Sequence, residues 1–398
     1  MVKPSVEVAD VFREYGKDYR STHGASMSSG QHRVMCDIAR CRTSALGGHL
    51  DQCDTCGREV NSYNSCRNRH CPKCGSLAKA KWLDARRGQL LPVGYYHVVF
   101  TVPHLLAPLA LANKRVFYDI LFQCASRTML TIATDPKHLG ARIGLLAVLH
   151  TWDQKLLYHP HLHCVVPGGG LSFDSQKWIA CRPDFFLPVR VLSRLYRRLF
   201  LETLLEGYTQ GLLQFHGALA HLATKQAFHR LLAECRQNEW VVYCKRPFGG
   251  PEKVLDYLGR YTHRVAISNH RLVNIDEGNV SFTYRDRADH DVQKTTHLPA
   301  DEFIRRFLLH VLPDRFVRIR QYGFLANRHC KHKIALCRTL LGVHQDQHSE
   351  VFPKSDWVQM LIRLTGSDPL CCPHCRRGRL KRIQTIPPLH FSPTRPPP

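Results

Sequence analysis

HPHLHCVVPGGG, residues 159–170, decides how this chain reads. From His161 it has the pattern of a strand, with Pro160 at the first position, where no ladder donor is needed. Side chains two apart on a strand point to the same side. His161 and His163 therefore project together, while Leu162 points the other way, into a core. Two parallel imidazoles on a rigid strand make a good seat for a divalent metal. Taken alone, such a pair is often no more than polar surface, and His159 lies in phase with both histidines. The rest of the chain has to supply the meaning.

Working outward, YYHVVFTVP (residues 95–103) and RIGLLAVLHTW (142–152) read as two further strands, with helix between them over part of 107–132. Downstream, PVRVLSRLYRRLFLETLLEGY (188–208) has one apolar face. It reads as a packing helix with a solvated basic face in preference to a helix laid in a DNA groove. EWVVYCKRP (239–247) returns as a strand, and PEKVLDYLGRYTHRV (251–265) opens with proline at a first helical position. That helix places Tyr257 and Tyr261 at i and i+4, on one face. Core packing is the default for such a pair. Here Arg260, His263 and Arg264 crowd the same turn, and a phenol beside cations and a metal is easier to deprotonate. A metal, a tyrosine and dense positive charge are what phosphodiester transesterification needs: the phenol attacks, the 3′-hydroxyl leaves and the 5′-phosphate stays on the protein. Further on, RLVNIDEGNVSFTYRD (271–286) reads as a hairpin turning at Glu277–Gly278, DEFIRRFLLHVLP (301–313) as a helix stopped by proline, and RFVRIRQYGF as a strand with one basic face.

Composition supports a nucleic-acid partner. The 398 residues carry 56 Lys and Arg against 32 Asp and Glu, a net charge of +24, and the pI is near 9.6. Such an excess favours a polyanion through counterion release. An anionic membrane is the other polyanion, but there is no long uncharged apolar run, no signal peptide and no lipidation motif. Nucleic acid, in the cytoplasm, is the expected partner, with no membrane association.

Seven of the 17 cysteines fall between Cys36 and Cys74, clustered as zinc ligands rather than spread as a disulfide framework. Cys53-x2-Cys56 and Cys71-x2-Cys74 make two tight turns, expected to complete one tetrahedral structural zinc site. Cys41, His49, Cys66 and His70 form a second set that would hold another zinc, with Cys36 as an alternative to Cys41. One zinc is therefore expected, or two if this set also closes. Arg67, Arg69 and Lys73 offer this module donors for DNA backbone. Near the other end, CCPHC (371–375) is half of a zinc site, with His374, Cys330 or Cys337 as candidates to complete it, and a proline-rich tail runs from Pro387.

FTVPH, HPHLHCVVPGGGLS and YLGRYTHRVAISNHRL together resemble the HUH-type rolling-circle transposases of the insertion sequence ninety-one kind, and CRNRHCPKC resembles their amino-terminal zinc-binding domain. The likeness runs in order from about Cys36 to Leu341. It implies that His161 and His163 are the HUH metal ligands around magnesium or manganese, and that Tyr257 and Tyr261 are the paired nucleophiles of the two-tyrosine group. A third ligand is then needed; Gln154 is the first candidate, with Asp153 and His150 as rivals. Arg260 and Arg264 become DNA contacts. The implied fold is α+β. A zinc-ribbon-like module over 1–90 precedes an HUH domain over 91–345, an antiparallel sheet with flanking helices and a helical insertion near 185–236. A basic extension over 346–398 follows. The implied activity is nicking and rejoining of single-stranded DNA at element ends. A plasmid replication initiator or relaxase would share this chemistry, though no P-loop of a fused helicase is present. A non-enzymatic zinc-ribbon DNA binder, with the histidines and tyrosines merely packing, is the third possibility.

Overall fold

The computed structural model describes residues 6–245, 253, 254, 259, 266–286, 288–343 and 357–389. In chain order the elements begin with α1 (Val8–Glu14), α2 (Gly16–His23), α3 (Ser29–Arg40), β1 (Gly48–Cys53), β2 (Glu59–Tyr63) and α4 (Gly75–Arg87). Next come β3 (Tyr95–Thr101), α5 (Ala107–Ala112), α6 (Lys114–Thr134), β4 (Gly144–Trp152), β5 (Tyr158–Pro167), β6 (Gly169–Leu171) and β7 (Trp178–Ala180). They are followed by α7 (Val189–Thr209), α8 (Lys225–Gln237), β8 (Val242–Lys245), β9 (Leu272–Asp276), β10 (Asn279–Asp286) and β11 (Val292–Pro299). The last are α9 (Ala300–Leu309), β12 (Ile319–Gly323), α10 (Cys330–Leu340), α11 (Trp357–Thr365) and β13 (Leu380–Ile386).

The chain divides into two units, Met1–Trp82 with His263–Val311 and Val351–Pro398, and Leu83–Thr262 with Leu312–Glu350. In the first, α1, α3 and α9 bury their apolar faces together. Phe12 meets Phe307 edge-on at 5.3 Å, and Val34, Met35 and Ile38 are buried beside them. α3 starts where Ser28 and Gln31 form a reciprocal capping box, which satisfies two otherwise orphaned amides. The antiparallel sheet β11-β10-β9 joins this core through Phe282, 5.9 Å from Phe303. Its hairpin turns at Glu277 and Gly278, both at positive φ, as a tight two-residue turn requires. A second sheet, β13-β1-β2, pairs the strand at 380–386 with the strand at 48–53. Much of the extension expected to stand apart thus belongs to the same unit as the amino-terminal module.

The second unit is built on a five-stranded sheet of order β12-β4-β5-β3-β8, with every neighbouring pair antiparallel. Its central strands are largely buried on both faces. Phe100 of β3 lies directly across from Leu162 of β5 and packs on Tyr196 of α7 at 4.9 Å. Phe117 of α6 meets Phe200 of α7 at 5.3 Å, and Trp240 closes the cluster. Each fully buried aromatic contributes about 1.5–3 kcal/mol. The Leu162 side of the sheet is therefore its helix-covered core, which leaves the histidines of β5 on the opposite side.

The architecture is mixed α+β with an antiparallel sheet, as expected. β5 starts earlier than the sequence pattern suggests, at Tyr158, so Pro160 lies within it. The register explains how: His150 opposes His161 while Trp152 opposes Tyr158, which leaves one extra residue on β5 between these pairs. Proline is tolerated at such an irregularity because no ladder donor is required there. No helix among the described residues is long and apolar enough to cross a membrane.

Candidate metal centres

His161 and His163 do share a face of β5, and β4 adds His150, which stands directly opposite His161 in the ladder. One ring nitrogen from each of the three lies within 4.8 Å of the other two. His161 Nε2 and His163 Nε2 are 3.0 Å apart. The His161 Nδ1 lies 2.6 Å from the carbonyl oxygen of His159. A carbonyl can only accept, so Nδ1 carries the proton and Nε2 keeps its lone pair, the form a metal ligand needs. His150 is held in place by stacking on Trp152 at 4.6 Å.

A fourth histidine, not singled out from the sequence, braces this group. His97 on β3 is on the same face, and its Nε2 is 2.8 Å from His163 Nδ1. The two rings stack within 9° of parallel. Burial pushes the His97 pKa down to about 3, helped by Lys245 and His161, so the ring is neutral. A neutral His97 accepts the His163 Nδ1 proton, which turns the His163 Nε2 lone pair toward the other two imidazoles. The signal for His97 was present in YYHVVFTVP: it is in strand phase with Val99, the residue that pairs with His163.

The fold brings only one of the three candidate third ligands to the pair. His150, a rival candidate, completes the triad, whereas Gln154 is exposed in the turn between β4 and β5. Asp153 is occupied in that turn, accepting from the amides of Lys155 and Leu157. Tyr257, Tyr261, Arg260 and Arg264 lie outside the described residues. The phenols of Tyr95, Tyr96, Tyr118, Tyr158 and Tyr196, all in this unit, are pushed up by burial.

The cysteines do not group as their spacing suggested. Cys53 and Cys56 are not in one cluster with Cys71 and Cys74. The latter pair converges with Cys41 and Cys66, with Cys41–Cys74 and Cys66–Cys74 sulfur separations of 3.4 and 3.5 Å. Cys53 and Cys56 converge with Cys372 and Cys375 instead. The reason is topological: β13 pairs with β1 and carries the CCPHC turn to the end of that strand. Neither histidine of the second set joins either cysteine cluster. His49 pairs with Asp51 at 3.1 Å, and His70 Nδ1 lies 3.0 Å from the Asn68 side-chain oxygen. Cys330 and Cys337 are packed in an apolar cluster with Leu91, Phe324 and Ile334. Arg67 and Arg69 are exposed, and Lys73 is paired with Glu7.

The Cys41 thiol is pulled down to about 7, chiefly by the Cys66 and Cys71 thiols donating to it. Four thiols drawn together in this way suit a single structural zinc, which replaces their mutual hydrogen bonds with four thiolate bonds.

Comparison with known proteins agrees with these features. A family described as "Transposase zinc-binding domain" matches residues 11–102, and one described as "Putative transposase" matches residues 144–333. "Putative transposase y4qJ" of Sinorhizobium fredii is 55% identical over 384 residues, 96% of either chain. "Transposase for insertion sequence element IS801" of Pseudomonas savastanoi pv. phaseolicola is 32% identical over 338 residues, 84% of this chain and 79% of that one. No solved structure matches.

Proposed function

Because the chain belongs to the transposases of the insertion sequence 91 and 801 type, we propose that it nicks and rejoins single-stranded DNA at element ends through a 5′-phosphotyrosine link. The observation that carries this reading is the convergence of His150, His161 and His163 on one sheet face, backed by His97. Three imidazole nitrogens on one side leave the rest of a coordination sphere open to phosphate oxygens. A divalent cation bound there would polarise the scissile phosphate.

The residues of the chain then have separate tasks. Leu162 and the strand ladder hold the imidazoles rigid from behind. His97 keeps His163 in the ligand tautomer. Tyr257 or Tyr261 attacks phosphorus, losing its phenolic proton as the P–O bond forms. The bond to the 3′-oxygen breaks, and that oxygen leaves as the 3′-hydroxyl after taking a proton. Return attack by a 3′-hydroxyl releases the tyrosine and reseals the strand, so two tyrosines allow one strand to be cut while another is held. The raised phenols of Tyr95, Tyr96, Tyr118, Tyr158 and Tyr196 make them poor nucleophiles, and the cations flanking Tyr257 and Tyr261 in the sequence favour that pair over the exposed Tyr243. The net charge of +24 supplies affinity for the phosphate backbone.

The test is a covalent adduct. Full-length protein, labelled single-stranded DNA carrying element ends, and manganese or magnesium should yield a protein–DNA species resolved under denaturing conditions. Tyr257→Phe with Tyr261→Phe should abolish it. Tyr243 is exposed and sits across the ladder from Val99, on the histidine face, so Tyr243→Phe is the control and should retain the adduct. Persistence of the adduct in the double variant would overturn the assignment.

A further inference from the structure

The half motif at 371–375 finds its complement at the other end of the sequence. Cys53 and Cys375, 322 residues apart, have their sulfurs 3.7 Å from each other, and Cys56 and Cys372, 316 apart, have theirs at 3.8 Å. A tetrahedron of four sulfurs around zinc has an edge of about 3.8 Å when each bond is about 2.3 Å. Disulfide sulfurs would be in bonding contact at about 2.05 Å, so these are not disulfides.

The backbone around the four thiols is shaped for the same purpose. Amides of Thr55 and Cys56 point at the Cys53 sulfur at 3.4 and 3.5 Å, and the Gly378 amide points at the Cys375 sulfur at 3.3 Å. Such donors stabilise thiolate over thiol. Each CxxC is followed by a residue at positive φ, Gly57 at 69° and Arg376 at 55°. An arginine in that region is strained, and the surrounding structure must hold it there. The same device recurs at the other tetrad, where Arg42 follows Cys41 and Arg67 follows Cys66 at φ of 57° and 53°. Gly378 is a close approach: a Cβ on it would crowd the Cys53 sulfur and come within 2.6 Å of Thr55 Oγ1. Only glycine fits beside the thiols.

What holds β13 in place also points to a metal. Its residues Lys381, Arg382, Ile383, Gln384 and Thr385 are all exposed, so little apolar burial secures it. Its ion pairs, Lys381 with Asp54 at 3.7 Å and Arg382 with Asp51 at 3.8 Å, are surface contacts worth little each. A strand bound this weakly needs a staple.

We propose that Cys53, Cys56, Cys372 and Cys375 bind a second structural zinc ion, which fastens the strand at 380–386 to the amino-terminal zinc module. The site is split: neither half can close a coordination sphere alone. The module that lies within residues 1–90 in sequence is complete only when residues 371–386 have folded back onto it. This holds whether or not the histidine triad cuts DNA.

Zinc content of the purified full chain, measured by atomic emission, should be one ion per tetrad, and Cys372→Ser with Cys375→Ser should remove one of the two. Retention of both ions by that variant would overturn the proposal. Amide exchange across 380–386 in the variant should rise at least about tenfold, while β9–β11 keep their protection; unchanged exchange in β13 counts against the staple. Should the variant fail to fold, cobalt titration of the wild-type apoprotein decides. Two equivalents, both with thiolate charge-transfer absorption, are expected, and saturation of that absorption at one equivalent overturns the site. A non-reducing mass that is lower by two hydrogens, mapped to a bond between Cys53 and Cys375, would do the same.

Discussion

His150 faces His161 across the β4–β5 ladder, and this cross-strand relationship converts a two-residue motif into a three-nitrogen site. Cross-strand neighbours on one sheet face sit about 4.5–5.5 Å apart at Cβ, close enough for two imidazoles to share one ion. The first prediction separates His150 from the residue that the sequence favoured. His150→Ala should lower nicking by more than the roughly 10–100-fold that loss of an outer-shell partner costs. Gln154→Ala should stay within a few-fold of wild type. Adduct yield against time, at fixed manganese, measures both, and the opposite ranking would restore Gln154 as the ligand.

His97 should act through His163 alone. His97→Phe removes the acceptor for the His163 Nδ1 proton while filling the space, so metal affinity should fall about 10–100-fold. High metal concentration should recover most of the rate, and His97→Gln, which keeps an acceptor oxygen, should behave better than His97→Phe. The readout is the metal concentration for half-maximal nicking. A loss that no metal concentration recovers would mean that His97 touches the DNA or the reacting groups itself.

The chemistry of the donors orders the metals. Imidazole nitrogen binds first-row transition ions more strongly than magnesium, whose preference is for oxygen. With three nitrogens and no carboxylate in the triad, manganese should support nicking at far lower concentration than magnesium. Parallel titrations of the two ions against adduct yield test this. Equal half-maximal concentrations would imply an oxygen ligand close to the triad.

Leu162 is fully buried against the helix side of the sheet, opposite to the histidines. Leu162→Ala should cost about 2–5 kcal/mol of stability through the cavity it leaves. Denaturant unfolding followed by circular dichroism would show the loss, and nicking per folded molecule should remain near wild type at low temperature. A variant of full stability would mean that the sheet collapses onto the space.

Much of the fold was legible because local periodicity carries it. The strands at 95–101 and 144–152, the helices at 189–209 and 300–309 and the hairpin at 277–278 all lie within a few residues of where apolar spacing, proline and glycine put them. The shared face of His161 and His163 follows from strand parity, a property of consecutive residues. Such features depend on neighbours in the chain, which a sequence displays directly.

Partners across strands and across the length of the chain do not. Two CxxC turns look alike wherever they occur, and spacing alone joined Cys53 and Cys56 to Cys71 and Cys74. Only the pairing of β13 with β1 sends them to Cys372 and Cys375 instead. Likewise His97 and His150 are ordinary strand histidines until the register of β3, β4 and β5 sets them around His163. Ladder register is settled by the collective burial of whole strand faces, so the composition of both sites became visible only when those faces had been assembled. The sequence by itself determined the kinds of side chain available and the strand that presents the first two histidines; tertiary packing decided which residues gather into each cluster.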